Sequence, residues 1–350
     1  MTPIRPDLDA LPAYVPGRAI PGAIKLASNE VALPPLPSVL AAIAEAATVS
    51  NRYPDLAVTS LTQRLATARG VAAERIAVGC GSVSLCQQLV NITCRETTDE
   101  VVYAWRSFEA YPIVTQIGAA KAVTVALDAG FRHDIDAMIA AVTPRTRLVF
   151  VCSPNNPTGT VVHREELVRL LDAVGPDVLV ALDEAYREYV RLPDAVDGLD
   201  LVDRYPNLVV LRTFSKAYRL AAVRVGYAIG TPEVATALRK VGSPFAVSTI
   251  AQAAAMAALD AERELLGAVE DVVRERVRVR DALLGLGYTV PATESNFVWA
   301  SLGERTQPFA VHCLEQKVIV RPFHPDGCRI TVALPEENDA LIAAATSFPR

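Results

Sequence analysis

The sequence is as informative for what it withholds as for what it carries. Only four histidines (His133, His163, His312, His324) occur in 350 residues, and they are scattered. Six cysteines are present (Cys80, Cys86, Cys94, Cys152, Cys313, Cys328), but no C-x-x-C pair. Neither type has the spacing of a zinc site, and the cysteines lie in apolar or strand-like runs, so buried reduced thiols are expected. No block of Lys or Arg exists and the net charge is −5, which argues against nucleic acid as the main partner. No apolar run approaches the roughly 20 residues of a membrane span. The N-terminal stretch lacks the basic-then-apolar plan of a signal peptide, so a cytoplasmic protein is expected. No Walker A sequence, internal repeat or low-complexity segment is found.

What is present is a chain that is 51% hydrophobic and 21% charged, in the range of ordinary globular proteins. Its length suggests about two domains. Residues 1–30 carry five prolines and read as an extended arm. Residues 31–245 alternate continuous apolar strands (101–105, 122–127, 148–152, 178–182, 208–211) with helices. That pattern predicts an α/β unit, a mostly parallel sheet covered on both faces. A helix from about Ser38 as N-cap to Thr48 and one from about Val58 to Arg69 precede it. Residues 246–350 combine long Ala/Leu/Arg/Glu helical runs, one of them spanning 249–286, with short alternating strands. They predict a smaller α+β domain.

In a sheet of this kind ligands lie at the carboxyl ends of the strands. Ser82, Phe108, Asn156, Asp183, Tyr186 and Lys216 all follow such ends. Arg75-Ile-Ala-Val-Gly-Cys-Gly-Ser-Val is a strand, two glycines and a helix start, where Gly81, Ser82 and Val83 can offer backbone donors to one phosphate. The third glycine of G-x-G-x-x-G is missing, which weakens a dinucleotide reading. Cys152-Ser-Pro-Asn-Asn-Pro-Thr-Gly fixes Asn156 as an amide donor in a rigid turn. Asp183 at the end of an apolar strand is costly unless it meets a cation, and a protonated pyridine nitrogen is a fitting one. At ~3 Å and an effective dielectric near 20, that attraction is about 5 kcal/mol before desolvation. Thr213-Phe-Ser-Lys-Ala-Tyr, with Arg224 eight residues beyond the lysine, sets hydroxyls and an arginine around Lys216, which suits a phosphate ester beside a Schiff-base amine. Alternation along Cys328-Arg-Ile-Thr-Val places Arg329 opposite the apolar residues, where its planar fork suits a carboxylate. Tyr53, before a proline, is held out from the chain.

In this order, Cys152-Ser-Pro-Asn-Asn-Pro-Thr-Gly, Leu182-Asp-Glu-Ala-Tyr, Thr213-Phe-Ser-Lys-Ala-Tyr and Arg224-Val-Gly-Tyr resemble the fold-type-I pyridoxal-phosphate aminotransferases. The resemblance runs nearly end to end. Ser28-Asn-Glu, Arg52-Tyr-Pro-Asp, Val320-Arg-Pro and Cys328-Arg-Ile-Thr-Val are similar to the histidinol-phosphate aminotransferase branch. It implies pyridoxal 5′-phosphate held by Lys216, which then carries the proton during transfer. It further implies Asp183 on the ring nitrogen, Tyr186 and Asn156 on the ring oxygen, and Phe108 over the ring. Gly81, Ser82, Val83, Thr213, Ser215 and Arg224 would surround the phosphate, and Tyr53 would reach in from the second subunit of a homodimer. Arg329 would take the substrate carboxylate, with Arg321, Tyr14 and Asn29 on the substrate side.

Departures from that branch bear on the substrate. Asn29-Glu30 continues Val31-Ala32 rather than Asn-Pro. The phosphate loop lacks an acidic pair, and Arg219 and Ala222 stand where glycine is common, at about 1 kcal/mol if φ is positive. The stretches from Cys80 and from Trp105 resemble the actinobacterial aromatic aminotransferases. The expected reaction is transfer of an amino group from Phe, Tyr or Trp to 2-oxoglutarate. The alternatives are histidinol phosphate as donor and, from another class, a nicotinamide-dependent dehydrogenase.

Overall fold

A computed structural model describes residues 20–349 together with Arg5, Asp9 and Leu11. The chain runs β1 (Ile24–Lys25), α1 (Pro37–Ala47), α2 (Thr59–Arg69), β2 (Ile76–Gly79), α3 (Ser82–Thr93), β3 (Glu100–Trp105) and α4 (Ala110–Ile117). It continues β4 (Lys121–Ala126), α5 (Ile135–Ala140), β5 (Thr146–Cys152), α6 (Arg164–Val174), β6 (Leu179–Asp183), β7 (Leu208–Thr213) and β8 (Gly226–Ile229). Then come α7 (Pro232–Val241), α8 (Thr249–Asp260), α9 (Glu262–Gly285), β9 (Phe297–Ser301) and α10 (Thr306–Glu315). The last elements are β10 (Val318–Ile319), β11 (Arg321–Phe323), β12 (Gly327–Thr331) and α11 (Pro335–Ser347).

The central sheet has the order β2-β8-β7-β6-β5-β3-β4. Every pairing is parallel except those of β8, which runs against both β7 and β2. Its middle strands are apolar on both faces, as a covered sheet demands. Val180, Leu182, Leu208 and Val210 join the core under α1, α2, α5, α6 and α8. Ala181, Val209 and Leu211 join the opposite core under α3, α4 and α7. Each fully buried Val or Leu contributes about 1.5–3 kcal/mol of apolar burial.

A second, antiparallel sheet has the order β11-β12-β9. One face, with Val298, Ala300, Cys328 and Ile330, packs on the far half of α9, α10 and α11. The other face, with Arg321, Arg329 and Trp299 in one register row, is turned away from that core. β1 pairs in parallel with β10 as a separate two-stranded sheet, and Val318 of β10 shares the small-domain core with Val298 and Ile330.

Local differences from the sequence reading have simple causes. α1 starts at Pro37 with no capping side chain rather than on Ser38, since Pro is suited to the first helical position. The helical run at 249–286 breaks at Ala261 into two helices. α8 and Leu265 and Val269 of α9 pack into the large core, whereas Val279 and Leu283 of α9 pack into the small one. No described helix is long and apolar enough to cross a membrane.

Candidate active site

The carboxyl ends of β6 and β7, the start of α3 and the free face of the small sheet enclose one cavity of about 220 Å³. Asn29, Ser82, Val83, Phe108, Asn156, Asp183, Tyr186, Thr213, Ser215, Lys216, Arg224, Arg321 and Arg329 all line it. Thirteen of the expected residues therefore line one cavity. Gly81 stands immediately behind. Tyr53 lies elsewhere, 82% exposed and stacked on Phe245 at 4.6 Å between ring centroids. Tyr14 is outside the described residues.

At the phosphate end, Gly81 has φ +79° and precedes α3 without any side-chain cap. The first N–H groups of that helix are left to an outside acceptor, and its dipole favours an anion. The backbone angle calls for glycine there, and a Cβ on Gly81 would stand 2.4 Å from Arg224 Nη2 and push that guanidinium aside. Arg224 Nη1 donates to the Ser215 hydroxyl at 3.3 Å and to the Ala221 carbonyl at 2.9 Å. The Thr213 hydroxyl donates to that of Ser215 at 3.0 Å and accepts the Ser215 N–H at 3.1 Å. The sequence reading missed Gly226, where a Cβ would meet Ser82 N at 2.8 Å and Arg212 O at 2.9 Å. This glycine lets β8 pass beneath the loop.

Asp183 closes the deep end and is 2% exposed. Its Oδ2 accepts from Tyr111 Oη at 3.0 Å, and Tyr111 is itself stacked on Phe150 at 4.5 Å. Its Oδ1 is buried and meets no hydrogen-bond partner among the described residues. Burial pushes the Asp183 carboxyl up to about 6, against the pull of Tyr111, the Ala185 N–H and Lys216. An orphaned buried carboxylate oxygen costs more than the 1–3 kcal/mol of a neutral group, and a ring N–H would satisfy it.

Lys216 faces it. Its Nζ donates to the Asn29 carbonyl at 3.2 Å and stands 5.6 Å from the Tyr186 ring centroid. Burial, then the Arg329 guanidinium, pushes the amine down to about 7, with Arg224 adding to the fall and Glu30 and Asp183 opposing it. A neutral amine is therefore available near neutral pH. Tyr186 accepts a hydrogen bond from Asn29 Nδ2 at 2.9 Å and lies edge-on to Phe297. Burial raises its phenol well above the usual range.

At the other end, Arg329 donates to Asn156 Oδ1 at 2.6 Å and to the Ala27 carbonyl at 2.7 Å. The first of these bonds engages the side-chain oxygen of Asn156, a residue that lines the cavity. The guanidinium lies 5.7 Å and 5.6 Å from the Phe297 and Phe323 ring centroids. The segment carrying Ala27 and Asn29 is fastened to β12 by Thr331 N to Leu26 O at 2.9 Å and Asn29 N to Thr331 Oγ1 at 3.0 Å. Of the two positions where glycine is common, only Arg219 has positive φ, +60°, and it donates to the Pro34 carbonyl at 3.1 Å; Ala222 needs no such angle. Tyr111 and the Ala27 carbonyl were not foreseen.

A phosphate cradle, an orphan carboxylate and a lysine with a depressed pKa in one cavity describe a pyridoxal-phosphate site. The family model "Aminotransferase class I and II" matches residues 21–345, and the chain belongs to that family. It is 59% identical over 348 residues to an aromatic amino acid aminotransferase of Rhodococcus jostii, covering 99% of this chain and 96% of that one. It is 53% identical over 349 residues to the enzyme of the same name from Streptomyces coelicolor, covering 99% and 97%. Among solved structures, a histidinol-phosphate aminotransferase from Sinorhizobium meliloti in complex with pyridoxal 5′-phosphate aligns with TM-score 0.90 at 30% identity, covering 99% of this chain and 98% of that one. The fold is fold type I, the cofactor is pyridoxal 5′-phosphate and the protein is a transaminase. The dehydrogenase alternative is overturned by this membership.

Proposed function

We propose that the chain transfers the amino group of phenylalanine, tyrosine or tryptophan to 2-oxoglutarate in a two-stage, ping-pong reaction. The observation that carries the transaminase chemistry is the pairing of the orphaned Asp183 Oδ1 with Lys216 across one cavity. The aromatic donor rests on the two full-length relatives of that name. When bound, the cofactor supplies an electron sink for the substrate's α-carbon. Asp183 keeps the ring nitrogen's proton in place, and Tyr186 and Asn156 donate to the ring oxygen. Phe108 covers one ring face. Ser82, Val83, Ser215 and Arg224 hold the phosphate, with Gly81 allowing the approach and Thr213 orienting Ser215.

Lys216, its amine lowered to about 7, would take up the proton of the substrate's α-carbon on Nζ and hold it for transfer. Arg329, already fixed by Asn156 and Ala27, meets the α-carboxylate without a rotamer search. Asn29, Arg321 and Tyr14 belong to the substrate side. Tyr53 serves a second subunit's phosphate, a role supported by its exposure and its stacking on the exposed Phe245. The division into arm, large domain and small domain is also proposed, with α8 counted in the large domain on the strength of its packing. Six free cysteines fit a reducing, cytoplasmic setting.

The second reading, histidinol phosphate as donor, is favoured by the likeness to the Sinorhizobium structure. The purified protein should absorb at roughly 400–430 nm, as a lysine-bound cofactor does. Phenylalanine should discharge that band faster than equimolar histidinol phosphate. A strong preference for the phosphate ester would overturn the aromatic assignment.

A further inference from the structure

The free face of the small sheet presents two arginines in one register row, Arg321 opposite Arg329. Arg329 donates to the Asn156 amide and the Ala27 carbonyl, as described above. Arg321 is held by a charge. Its Nη2 donates to both carboxylate oxygens of Glu109, at 3.1 and 3.0 Å. Glu109 follows Phe108 and immediately precedes α4, so the pair bridges the large sheet's strand ends and the small sheet. The side chains are 15% and 30% exposed, in between a surface pair and a buried one. Such a pair is stronger than an exposed one yet remains open to a competing ion. The Arg321 guanidinium also lies 5.7 Å from the Phe323 centroid, the same ring that Arg329 faces.

A guanidinium lining the cavity without a counter-charge would make two demands. It would reward a substrate carrying a second carboxylate, and it would penalise an uncharged ring that dries the cation without pairing it. A transaminase taking both aromatic amino acids and a five-carbon dicarboxylate has to relieve the second without forfeiting the first.

We propose that Glu109 is a specificity-determining residue: its carboxylate neutralises Arg321 while the substrate side chain is uncharged, and competes with a dicarboxylate's distal carboxylate for the same guanidinium. The inference rests on the two-substrate reading above. Glu109→Gln keeps the shape and removes the charge, whereas Glu109→Asp keeps the charge on a shorter arm.

The test uses holoenzyme and two unreactive analogues, glutarate and 3-phenylpropionate, titrated against the bound cofactor's absorbance. Glu109→Gln should bind glutarate about 5- to 20-fold more tightly, the size of an ordinary competing charge pair. Its affinity for 3-phenylpropionate should be unchanged or weaker, and Glu109→Asp should lie near wild type for both. Equal shifts for the two analogues, or unchanged glutarate binding, would sink the role of Glu109 alone. Failure of the wild-type holoenzyme to bind either analogue would instead remove the two-substrate reading, and this inference with it.

Discussion

The two ends of the cavity are built by different means. The cofactor end stands on the central sheet: Asp183 ends β6, Thr213 ends β7, and Ser82 opens the helix after β2. Each of these side chains inherits its position from a strand whose neighbours are buried on both faces. The substrate end stands on a three-stranded sheet and on an extended segment, joined through hydrogen bonds such as Arg329 to the Ala27 carbonyl and Asn29 N to Thr331 Oγ1. The contrast matches the tasks, since one end must hold a single coenzyme permanently while the other must accept two substrates in turn. Rigidity at the first and adjustable charge at the second follow from these supports.

The largest effect should come from the rigid end. Asp183→Asn keeps the hydrogen bond to Tyr111 but removes the charge that matches a ring N–H. Turnover should fall by roughly 10³-fold, the scale of losing one preorganised electrostatic group, with cofactor still bound. Unchanged rates would mean that another group protonates the ring and that the two ends do not differ as described.

At the substrate end, Arg329→Lys replaces a fork held at two points by a single ammonium. kcat/KM for phenylalanine should fall by about 10- to 100-fold, and the lysine-bound chromophore should be unaltered. A lost chromophore would show that the ends are not separable.

A smaller effect concerns pH. The amine of Lys216 is lowered from its ordinary 10.5 to about 7, so its neutral, nucleophilic form is gained as pH rises through about 7. Uptake of pyridoxal phosphate by the apo-protein should therefore quicken between about pH 6 and 8 and then level off. A rate still climbing tenfold per unit at pH 9 would place the amine in ordinary surroundings and remove the electrostatic distinction between the ends.

The same contrast explains what could be read without a structure. Lys216, Asp183, Asn156 and Ser82 were legible because each follows a continuous apolar strand, and a strand's carboxyl end is a place as well as a pattern. Arg329 was legible from the two-residue period of β12. Tyr111, the Ala27 carbonyl and Gly226 were not, because each acts through a contact far away in sequence that no local period encodes. The pairing of Glu109 with Arg321 spans more than two hundred residues and joins two sheets, so it leaves no mark on either stretch. The start of α1 at Pro37 rather than after a Ser38 cap and the break at Ala261 are boundary effects. Tyr53 was legible as a residue turned outward, and its service to a second subunit remains a proposal.

Lys216 is the predicted covalent attachment point of the cofactor. Borohydride reduction of the holo-protein, followed by digestion and mass mapping, would fix the cofactor to the lysine that holds it. The prediction is a reduced pyridoxyl group on Lys216 alone. Label on Lys25, Lys121, Lys240 or Lys317 in its place, or on no lysine, would contradict it.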